Sequence, residues 1–297
     1  MMVMAESLRG DLRYDESMAR HTSWRVGGCA ARFFRPADVD DLADYMRQLA
    51  PDEPVYWVGL GSNLLVRDGG LEGSVIAVHR ALSGLVFEEG GQALVGAGVP
   101  CARIARQSVR QGLAGGEFFA GIPGTLGGAL AMNAGAFGGE TWERVAQVQV
   151  MDRAGEMYWR EPGEYRIGYR SVKGPQDEWF VAARLQFSTD ADGEGRSRIR
   201  DMLARRGATQ PTGEPSCGSV FRNPPGDHAA RLIEAAGLKG HAIGGARVSD
   251  KHANFIVNTG EARAADMEAL IAHVRDKVRV QFGVELEPEV RIVGRPA

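Results

Sequence analysis

The sequence predicts an α+β protein of two or three domains. Its 297 residues, 44% of them hydrophobic, are enough to bury a sizeable core and to divide into more than one domain. Short strand patterns recur along the chain between a few helical patterns. Gly59-Leu60-Gly61 follows a strand, but Leu64 stands where a dinucleotide-binding fingerprint needs its third glycine. The dinucleotide-binding fold is therefore excluded.

Composition limits the class of partner. A net charge of −3 and a pI near 6.1 argue against nucleic-acid binding. Three cysteines without a CxxC spacing indicate free thiols in a reducing compartment. We find neither an N-terminal apolar segment nor an apolar run long enough to span a membrane. The six histidines lack a metal-ligand spacing. We therefore expect a cytoplasmic monomer without a metal or a membrane partner.

The first half of the chain contains predicted elements in the following order. The first twenty residues are polar and weakly patterned, so we expect an irregular lead-in. A helix begins at Asp38, because apolar residues follow this capping residue at helical spacing. The other predicted elements are strands near Ala31–Phe34, Val55–Val58, Val75–Val78 and Leu94–Ala97, and a helix from Pro100 to about Gln111 that Gly112 ends.

In the second half of the chain, the sequence pattern predicts two strands and then a unit rich in helices. The strands are Val145–Met151 and Trp179–Phe187, and a short basic helix ends at Arg205-Arg206-Gly207. A long helix over Ala264–Phe282 carries an apolar stripe. The remaining predictions are a helix over Asp227–Ala236, strands near Ala242–Val248 and Phe255–Val257, and a strand pattern in the tail Glu287–Val293.

Two glycine-rich segments are candidate ligand sites. The run Phe118–Ala136 is almost uncharged, and its glycines would let the backbone approach a ligand and form an anion-binding nest. It suggests a bulky cofactor that carries phosphate, but a packing corner would explain the glycines equally well. Residues 59–65 could give backbone amides and the side chains of Ser62 and Asn63 to a pyrophosphate.

Three polar residues stand in apolar or glycine-rich surroundings. Ser219 lies in the segment Cys217–Pro224, Arg170 in Tyr165–Ser171, and Glu289 in Glu287–Arg291. Taken singly, they read as a turn serine, a surface arginine and an exposed glutamate on an edge strand. Cys217 could be mistaken for a nucleophile, but a buried thiol is the simpler interpretation.

Taken together, these segments resemble the UDP-N-acetylenolpyruvoylglucosamine reductase family from about Thr22 to Gly294. The segments that carry the resemblance are Gly59–Leu65, Gly121–Gly128, Tyr169–Ser171, Gly218–Pro224 and Glu289–Arg291. The first two also occur, in looser form, across the wider vanillyl-alcohol-oxidase-like flavin fold. The last three are specific to the reductases. Only Val172–Glu178 separates Ser171 from the next strand, which resembles the compact subtype without an inserted substrate loop.

The resemblance implies a two-subdomain FAD-binding fold of the vanillyl-alcohol-oxidase-like type plus a C-terminal α+β substrate-binding domain. The expected divisions are residues 1–84 for the first FAD-binding subdomain, 85–200 for the second and 201–283 for the substrate domain. The tail 284–297 is expected to pack back on the first subdomain. By this resemblance FAD is the cofactor, NADPH is the reductant, and UDP-N-acetylglucosamine enolpyruvate is the small-molecule substrate, reduced to UDP-N-acetylmuramate.

The resemblance also assigns roles to residues. Ser219 would protonate the substrate carbon, while Arg170 and Glu289 would stabilise the enolate. The residues expected to hold FAD are Gly59, Gly61, Ser62, Asn63, Leu64, Leu65, Gly121, Ile122, Pro123, Gly124, Thr125, Gly127, Gly128, Ala131, Asn133, Ala134 and Gly135. Those expected to bind substrate are Tyr169, Asn223, Arg205 and Gln210.

One position departs from the family pattern. Relatives often carry a lysine before the Gln-Pro pair, whereas Thr209 precedes Gln210-Pro211 here. Arg205 or Arg206 would then have to supply the cation for the substrate diphosphate. Two alternatives stay open at this stage, another FAD-dependent oxidoreductase of the same fold and a flavin-binding module without catalysis.

Overall fold

The computed structural model describes residues 8–297, which form two compact units. The first unit holds residues 8–14, Arg32–Gly59 and Gly73–Ala204, and the second holds Asp15–Ala31, Leu60–Glu72 and Arg205–Ala297. The helices are α1 (Val39–Gln48), α2 (Cys101–Arg110), α3 (Leu126–Met132), α4 (Gly195–Thr209), α5 (Ala229–Ala235) and α6 (Ala264–Phe282). The strands are β1 (Asp11–Ser17), β2 (Cys29–Arg35), β3 (Val55–Val58), β4 (Leu64–Val66), β5 (Leu71–Ala77), β6 (Leu85–Phe87), β7 (Gln92–Gly96), β8 (Leu113–Ala114), β9 (Gly135–Ala136), β10 (Gly139–Glu140), β11 (Val145–Asp152), β12 (Met157–Arg160), β13 (Arg166–Gly168), β14 (Ser171–Lys173), β15 (Glu178–Gln186), β16 (Ser188–Thr189), β17 (Ala242–Ile243), β18 (Ala246–Val248), β19 (Ile256–Asn258) and β20 (Arg291–Val293).

The first predicted helix packs on a four-stranded sheet of order β1-β2-β5-β3. Asp38 caps α1, because its carboxylate accepts a hydrogen bond of 3.0 Å from the amide of Asp41. Leu42 and Met46 point into a core that they share with Phe34 and Ile76. The helical spacing of the apolar residues therefore predicts both this helix and its buried face.

A five-stranded antiparallel sheet forms the second layer of the first unit. Its order is β12-β11-β15-β7-β6. Alternate residues along β11 and β15, such as Val148 and Ala183, are buried, as expected when one face of a sheet packs on a core. Helices α2 and α3 supply the opposite side of that core through Ile104 and Leu130. The glycine-rich run thus lies on the buried side of this sheet.

The second unit is built around α6. Its predicted apolar stripe, formed by Met267, Leu270, Ile271, Val274 and Val278, is buried. This stripe shares a core with α5 and with the small sheet β17-β18-β19. The tail strand β20 pairs in parallel with β4, so that Arg291 lies opposite Leu64. This pairing places the tail directly beside the Gly59–Leu65 segment.

The structure corrects three expectations from the sequence. Residues 11–17 form β1 instead of an irregular lead-in, while residues 1–7 lie outside the described part of the chain. Helix α4 has 15 residues and is not short. The strand expected over Ala242–Val248 is two strands joined at Gly244-Gly245, because Gly244 adopts a φ of +52° and turns the chain.

Within residues 8–297, no helix is both long enough and apolar enough to cross a bilayer. The three-part domain division expected from the sequence stays a prediction.

Asp68 provides a test of how α6 is fixed. Its carboxylate oxygens each accept a 3.0 Å hydrogen bond from the first amides of α6, those of Ala264 and Ala265. Because these amides have no partner inside the helix, we expect Asp68→Ala to lower the free energy of unfolding by about 1–2 kcal/mol. Urea denaturation followed by circular dichroism would measure it.

The control for this experiment is Asp276→Ala on the same helix. Asp276 is exposed and pairs only along the surface with Arg279, so its loss should change stability by less than about 0.5 kcal/mol. If both substitutions lowered the free energy of unfolding equally, the hydrogen bonds from α6 to Asp68 would contribute no more to stability than a surface ion pair.

Candidate functional site

In the first unit, the glycine-rich run is held by hydrogen bonds to the segment before α2. The carbonyl of Gly124 accepts a bond of 2.9 Å from the amide of Cys101, and the amide of Leu126 donates to the carbonyl of Val99 at 2.9 Å. These bonds leave the amides of Gly124 and Thr125 without a protein acceptor in residues 8–297. The Thr125 hydroxyl is also buried and unpartnered in that part of the chain. The run therefore presents donors for a ligand.

Part of this run is helical, which differs from the loop expected from the sequence. Helix α3 covers Leu126–Met132, since Leu126, Ala129 and Leu130 are good helix formers that share one buried face. Gly128 lies on its exposed side, and apart from its own helix a Cβ there would meet nothing in residues 8–297 within 4 Å. This exposed glycine leaves open space beside the free amides.

Gly59 has a different reason to be glycine. A Cβ at this position would lie 2.2 Å from the hydroxyl oxygen of Thr125, which is far inside van der Waals contact. Residue 59 must therefore lack a side chain for the end of β3 to approach the glycine-rich run in the first unit.

In the second unit, residues 60–65 form the other predicted ligand segment. Gly61 has a φ of +61°, and a Cβ there would lie 2.0 Å from the carbonyl oxygen of His21. The carbonyl of Gly61 accepts a 3.1 Å bond from the amide of Ser23. The amides of Leu60, Gly61 and Ser62 have no protein acceptor among the described residues. Three successive free amides are the donor set that an anion such as a pyrophosphate requires.

Both segments fit the cofactor that the sequence implies. Their donors that find no acceptor in residues 8–297 are neutral backbone amides, which suit the oxygens of a pyrophosphate. Asn63 contributes less to a ligand than expected, because its side-chain nitrogen donates to the carbonyl of Glu289 at 3.1 Å. That bond links the segment to the tail instead.

Ser219 and Glu289 lie on adjacent segments of the second unit. The amide of Glu289 donates a 2.7 Å hydrogen bond to the carbonyl of Val220, the residue after Ser219. Gly218 precedes the serine with a φ of +82°, which turns the chain at this point. Ser219 is half-buried, and its hydroxyl has no hydrogen-bond partner in the described part of the chain. Its proton is therefore available to a ligand.

Asn254 supports this segment, although no motif in the sequence marks it. The Asn254 side chain is buried and accepts a 2.9 Å bond from the amide of Phe221. It also donates a 2.8 Å bond to the carbonyl of Phe221. The one weak signal in the sequence is that Asn254 stands between the apolar residues Ala253 and Phe255.

Cys217 is a structural thiol. It is buried and free, as the sequence interpretation expected. Burial raises the pKa of the Cys217 thiol well above its ordinary value, and the negative charge of Glu289 raises that pKa further. A nucleophilic role would need a lowered pKa. The influence of Glu289 also indicates that its carboxylate lies close to this segment.

Arg170 belongs to the first unit, so it is described apart from Ser219 and Glu289. It sits at the tip of the β13–β14 hairpin with a φ of +51°. Its guanidinium donates to the carbonyls of Asn133 at 3.3 Å and Gly135 at 3.0 Å. It also lies over the ring of Tyr169, which is half exposed. The structure thus brings Arg170 to the end of the glycine-rich run.

The residues expected to bind substrate differ in availability. The side-chain oxygen of Asn223 accepts a 3.1 Å bond from the amide of Ala229, which uses one of its two lone pairs, so its side-chain nitrogen is the more available group for a ligand. Arg205 is exposed. Arg206 is half-buried and donates a 3.0 Å bond to the side-chain oxygen of Gln210. Burial lowers the pKa of Arg206, and no carboxylate of residues 8–297 forms an ion pair with it.

Among the described residues, we find no group of three or more histidine, cysteine or acidic side chains placed to hold a metal ion.

Known proteins are similar to this chain along nearly its whole length. A family model for the C-terminal domain of UDP-N-acetylenolpyruvoylglucosamine reductase matches residues 210–293, and an FAD binding domain model matches residues 30–160. The chain is 60% identical to the UDP-N-acetylenolpyruvoylglucosamine reductase of Methylococcus capsulatus over 288 residues, which cover 96% of this chain and 94% of the relative. Identity to that of Nitrosococcus oceani is 55%, covering 99% of both chains. A solved reductase of this name from Thermus caldophilus is 32% identical, with a TM-score of 0.81 over 96% of this chain and 99% of that chain.

These comparisons confirm the fold class predicted from the sequence, an FAD-binding domain followed by the reductase C-terminal domain. They do not test the individual site residues, whose roles stay predictions.

A substitution at Gly128 tests whether FAD binds beside α3, and it should not damage the fold. Leucine is a better helix former than glycine, so Gly128→Leu should leave the free protein at least as stable as before. We expect its side chain to fill the open space and to lower FAD content, measured by absorbance near 450 nm, at least tenfold. Gly163→Leu is the matched control, since Gly163 is also exposed with no atom within 4 Å of a Cβ. Full FAD content in both variants would contradict the prediction that FAD binds beside Gly128.

Proposed function

The chain belongs to the UDP-N-acetylenolpyruvoylglucosamine reductase family, and from this premise we propose that Ser219, Arg170 and Glu289 carry out its chemistry. It is an FAD-dependent oxidoreductase of peptidoglycan precursor synthesis that reduces the enolpyruvyl group of UDP-N-acetylglucosamine enolpyruvate, with NADPH as reductant. The chemistry that bound FAD supplies is hydride transfer from NADPH to the enolpyruvyl double bond.

The cofactor contacts are assigned to backbone donors. We assign FAD contacts in the second unit to the amides of residues 60–62 and, in the first unit, to those of Gly124 and Thr125, none of which has a protein acceptor in residues 8–297. Neutral amides can bind a pyrophosphate by hydrogen bonding, without a cationic side chain at the site. The Gly59, Gly61 and Gly128 positions serve by lacking a side chain, since two permit close backbone approach and the third leaves open space.

The reaction leaves negative charge beside the substrate carboxylate once hydride has added to the neighbouring carbon. The guanidinium of Arg170, oriented by two backbone carbonyls, is suited to stabilise this enolate. The carboxyl of Glu289 assists as a protonated or proton-sharing acid. Donors fixed before the reaction are effective because they need not reorganise as charge develops.

Ser219 completes the addition. Its hydroxyl gives a proton to the enolate carbon, a new C–H bond forms, and solvent returns a proton to the serine oxygen. A serine is a weak acid, so it requires a basic acceptor, which the enolate provides. The observation that carries this assignment is a half-buried Ser219 hydroxyl without a hydrogen-bond partner in residues 8–297, next to the segment of Glu289.

The substrate diphosphate is assigned to Arg206 in preference to Arg205. Arg206 is half-buried with an amide oxygen as its side-chain partner, and a partly desolvated cation is stabilised by an anion. Gln210 then orients Arg206 and contacts the substrate indirectly. Arg205 is exposed to solvent, where a bound phosphate would gain less. Asn223 and Tyr169 are retained as further substrate contacts.

The proposal includes the setting of the enzyme. Free Cys29, Cys101 and Cys217 agree with a reducing compartment, and we propose a monomer that acts in the cytoplasm. We also retain the three-part domain division at residues 84, 200 and 283.

Ser219→Ala separates the two half-reactions. Because Ser219 acts only in the second, reduction of the bound flavin by NADPH should keep its wild-type rate, while formation of UDP-N-acetylmuramate falls by about 10²–10⁴-fold. Stopped-flow absorbance near 450 nm and product analysis measure the two steps. Ser219→Cys, whose thiol still carries a proton, should retain more activity than Ser219→Ala.

Ser216→Ala is the matched control, because Ser216 lies three residues before Ser219 and is also half-buried. It should retain wild-type rates in both half-reactions. An equal loss of both half-reactions in Ser219→Ala would remove the proton-donor role.

Arg206 and Arg205 form a matched pair for the diphosphate. A charge-assisted hydrogen bond contributes about 1.5–3 kcal/mol, so Arg206→Ala should raise the KM for the UDP-sugar by about 10–100-fold with little change in kcat. Arg205→Ala should change KM less than twofold. Steady-state kinetics with saturating NADPH would measure both. If Arg205→Ala raised the KM more than Arg206→Ala did, Arg205 would be the residue that binds the diphosphate.

A further inference from the structure

Asn133 ends α3 in an unusual state. It is 2% exposed and adopts the left-handed conformation with a φ of +46°. Asparagine tolerates this conformation better than most residues do. The sequence resemblance implies that Asn133 contacts FAD, but the contacts of its side chain point to another role.

The hydrogen-bonding capacity of the Asn133 side chain is used by the protein. Its nitrogen donates to the carboxylate of Glu140 at 2.7 Å and to the carbonyl of Gly168 at 3.3 Å. Its oxygen accepts a 3.1 Å bond from the amide of Trp142. An asparagine nitrogen has two donors, and both are engaged. The side chain therefore has no N–H group left for a ligand.

These bonds fix the hairpin that carries Arg170. Gly168 is the last residue of β13, so the bond from Asn133 holds the hairpin where its tip begins. The main-chain carbonyl of Asn133 accepts the bond from the guanidinium of Arg170, and Gly135 accepts the second. Residues 133–135 thus hold both the backbone and the charged end of the arginine.

The hairpin needs such support because of its backbone. Arg170 has a φ of +51°, a conformation that disfavours any residue with a side chain. Conformations of this kind persist where the surrounding structure enforces them, and they are frequent at functional sites. Ile167, Gly168 and Tyr169 are exposed, so the hairpin itself has little core to fix it. Asn133 itself is buried, and its bond to the carbonyl of Gly168 can supply that constraint.

We propose that Asn133 is a positioning residue that sets the guanidinium of Arg170 relative to the glycine-rich run. This proposal rests on the role given to Arg170 in the proposed function. Asn133 binds neither FAD nor substrate. It acts by connecting the hairpin of Arg170 to the run whose free amides face the cofactor.

Asn133→Gly tests this role with the least disturbance. Glycine adopts the left-handed conformation readily and keeps the main-chain carbonyl that binds Arg170, while the three side-chain bonds disappear. We expect normal FAD content, a normal rate of flavin reduction by NADPH, and a kcat for product formation lower by about 10–100-fold. Asn133→Ala is the matched variant, and it should melt at a lower temperature because alanine disfavours this conformation.

The link to Arg170 is tested by a double-mutant cycle. If Asn133 acts through Arg170, then Asn133→Gly should slow Arg170→Ala by less than twofold further. If the double variant lost activity by the product of the two single losses, Asn133 would act independently of Arg170. If Asn133→Gly lost FAD, Asn133 would be a cofactor-binding residue. Either outcome overturns the proposal.

Failure of this inference differs from failure of the proposed function. A wild-type rate in Arg170→Ala would remove the catalytic role of Arg170 itself. A slow Arg170→Ala together with a wild-type Asn133→Gly would remove only the positioning role.

Asn133→Asp offers a second readout, the pH profile. An aspartate can keep the left-handed backbone and the acceptor for Trp142, but its carboxylate cannot donate to Glu140 or Gly168. Protonation restores one donor, so activity relative to the wild type should rise as pH falls toward the carboxyl pKa. A constant ratio between pH 5 and 8 would contradict the role of these donated bonds.

Discussion

The main constraint on the candidate site is a set of backbone amides that find no protein acceptor within residues 8–297. The carbonyl of Gly61 and the residues on either side of Thr125 are fixed by hydrogen bonds, while the amides of residues 60–62, Gly124 and Thr125 find no protein acceptor in residues 8–297. An amide donor without a protein acceptor gains a charge-assisted hydrogen bond when a bound anion accepts from it, and this bond contributes free energy to binding. Binding of the cofactor and stability of the fold are therefore coupled, because a ligand that binds only the folded state stabilises it.

Local sequence patterns predict those elements whose burial follows a simple period. The stripe from Met267 to Val278 repeats at helical spacing and predicts α6. Val55–Val58 is apolar throughout and predicts β3 as a strand, but the expected burial holds only for Val58, since the other three residues are half-buried. Strand β1, Asp11–Ser17, is missed because five of its seven residues are acidic, basic or serine and little of it is buried. Its place depends on pairing at the edge of a sheet, which local composition does not encode.

In the candidate site too, some residues can be predicted from local sequence and others cannot. The glycine segments and the residues Ser219, Arg170 and Glu289 are recognisable as motifs, because their residue types stand in fixed local order. The partners that hold them are distant in sequence. Asn254 fixes Phe221 from 33 positions away, and Asn133 reaches Gly168 across 35. Such supporting residues depend on the tertiary fold, so a single sequence gives only a weak signal for them.

The partners of the arginines separate structural from ligand-binding roles. Arg198 pairs with Glu117, Asp190 and Asp192, so carboxylates offset its charge, and the arrangement fixes the start of α4. Arg206, near the other end of that helix, has the neutral oxygen of Gln210 as its partner. An amide oxygen satisfies a donor but does not compensate the charge, so burial still lowers the pKa of Arg206. A diphosphate would supply the missing negative charge, and this difference favours Arg206 over its exposed neighbour as the cation that binds substrate.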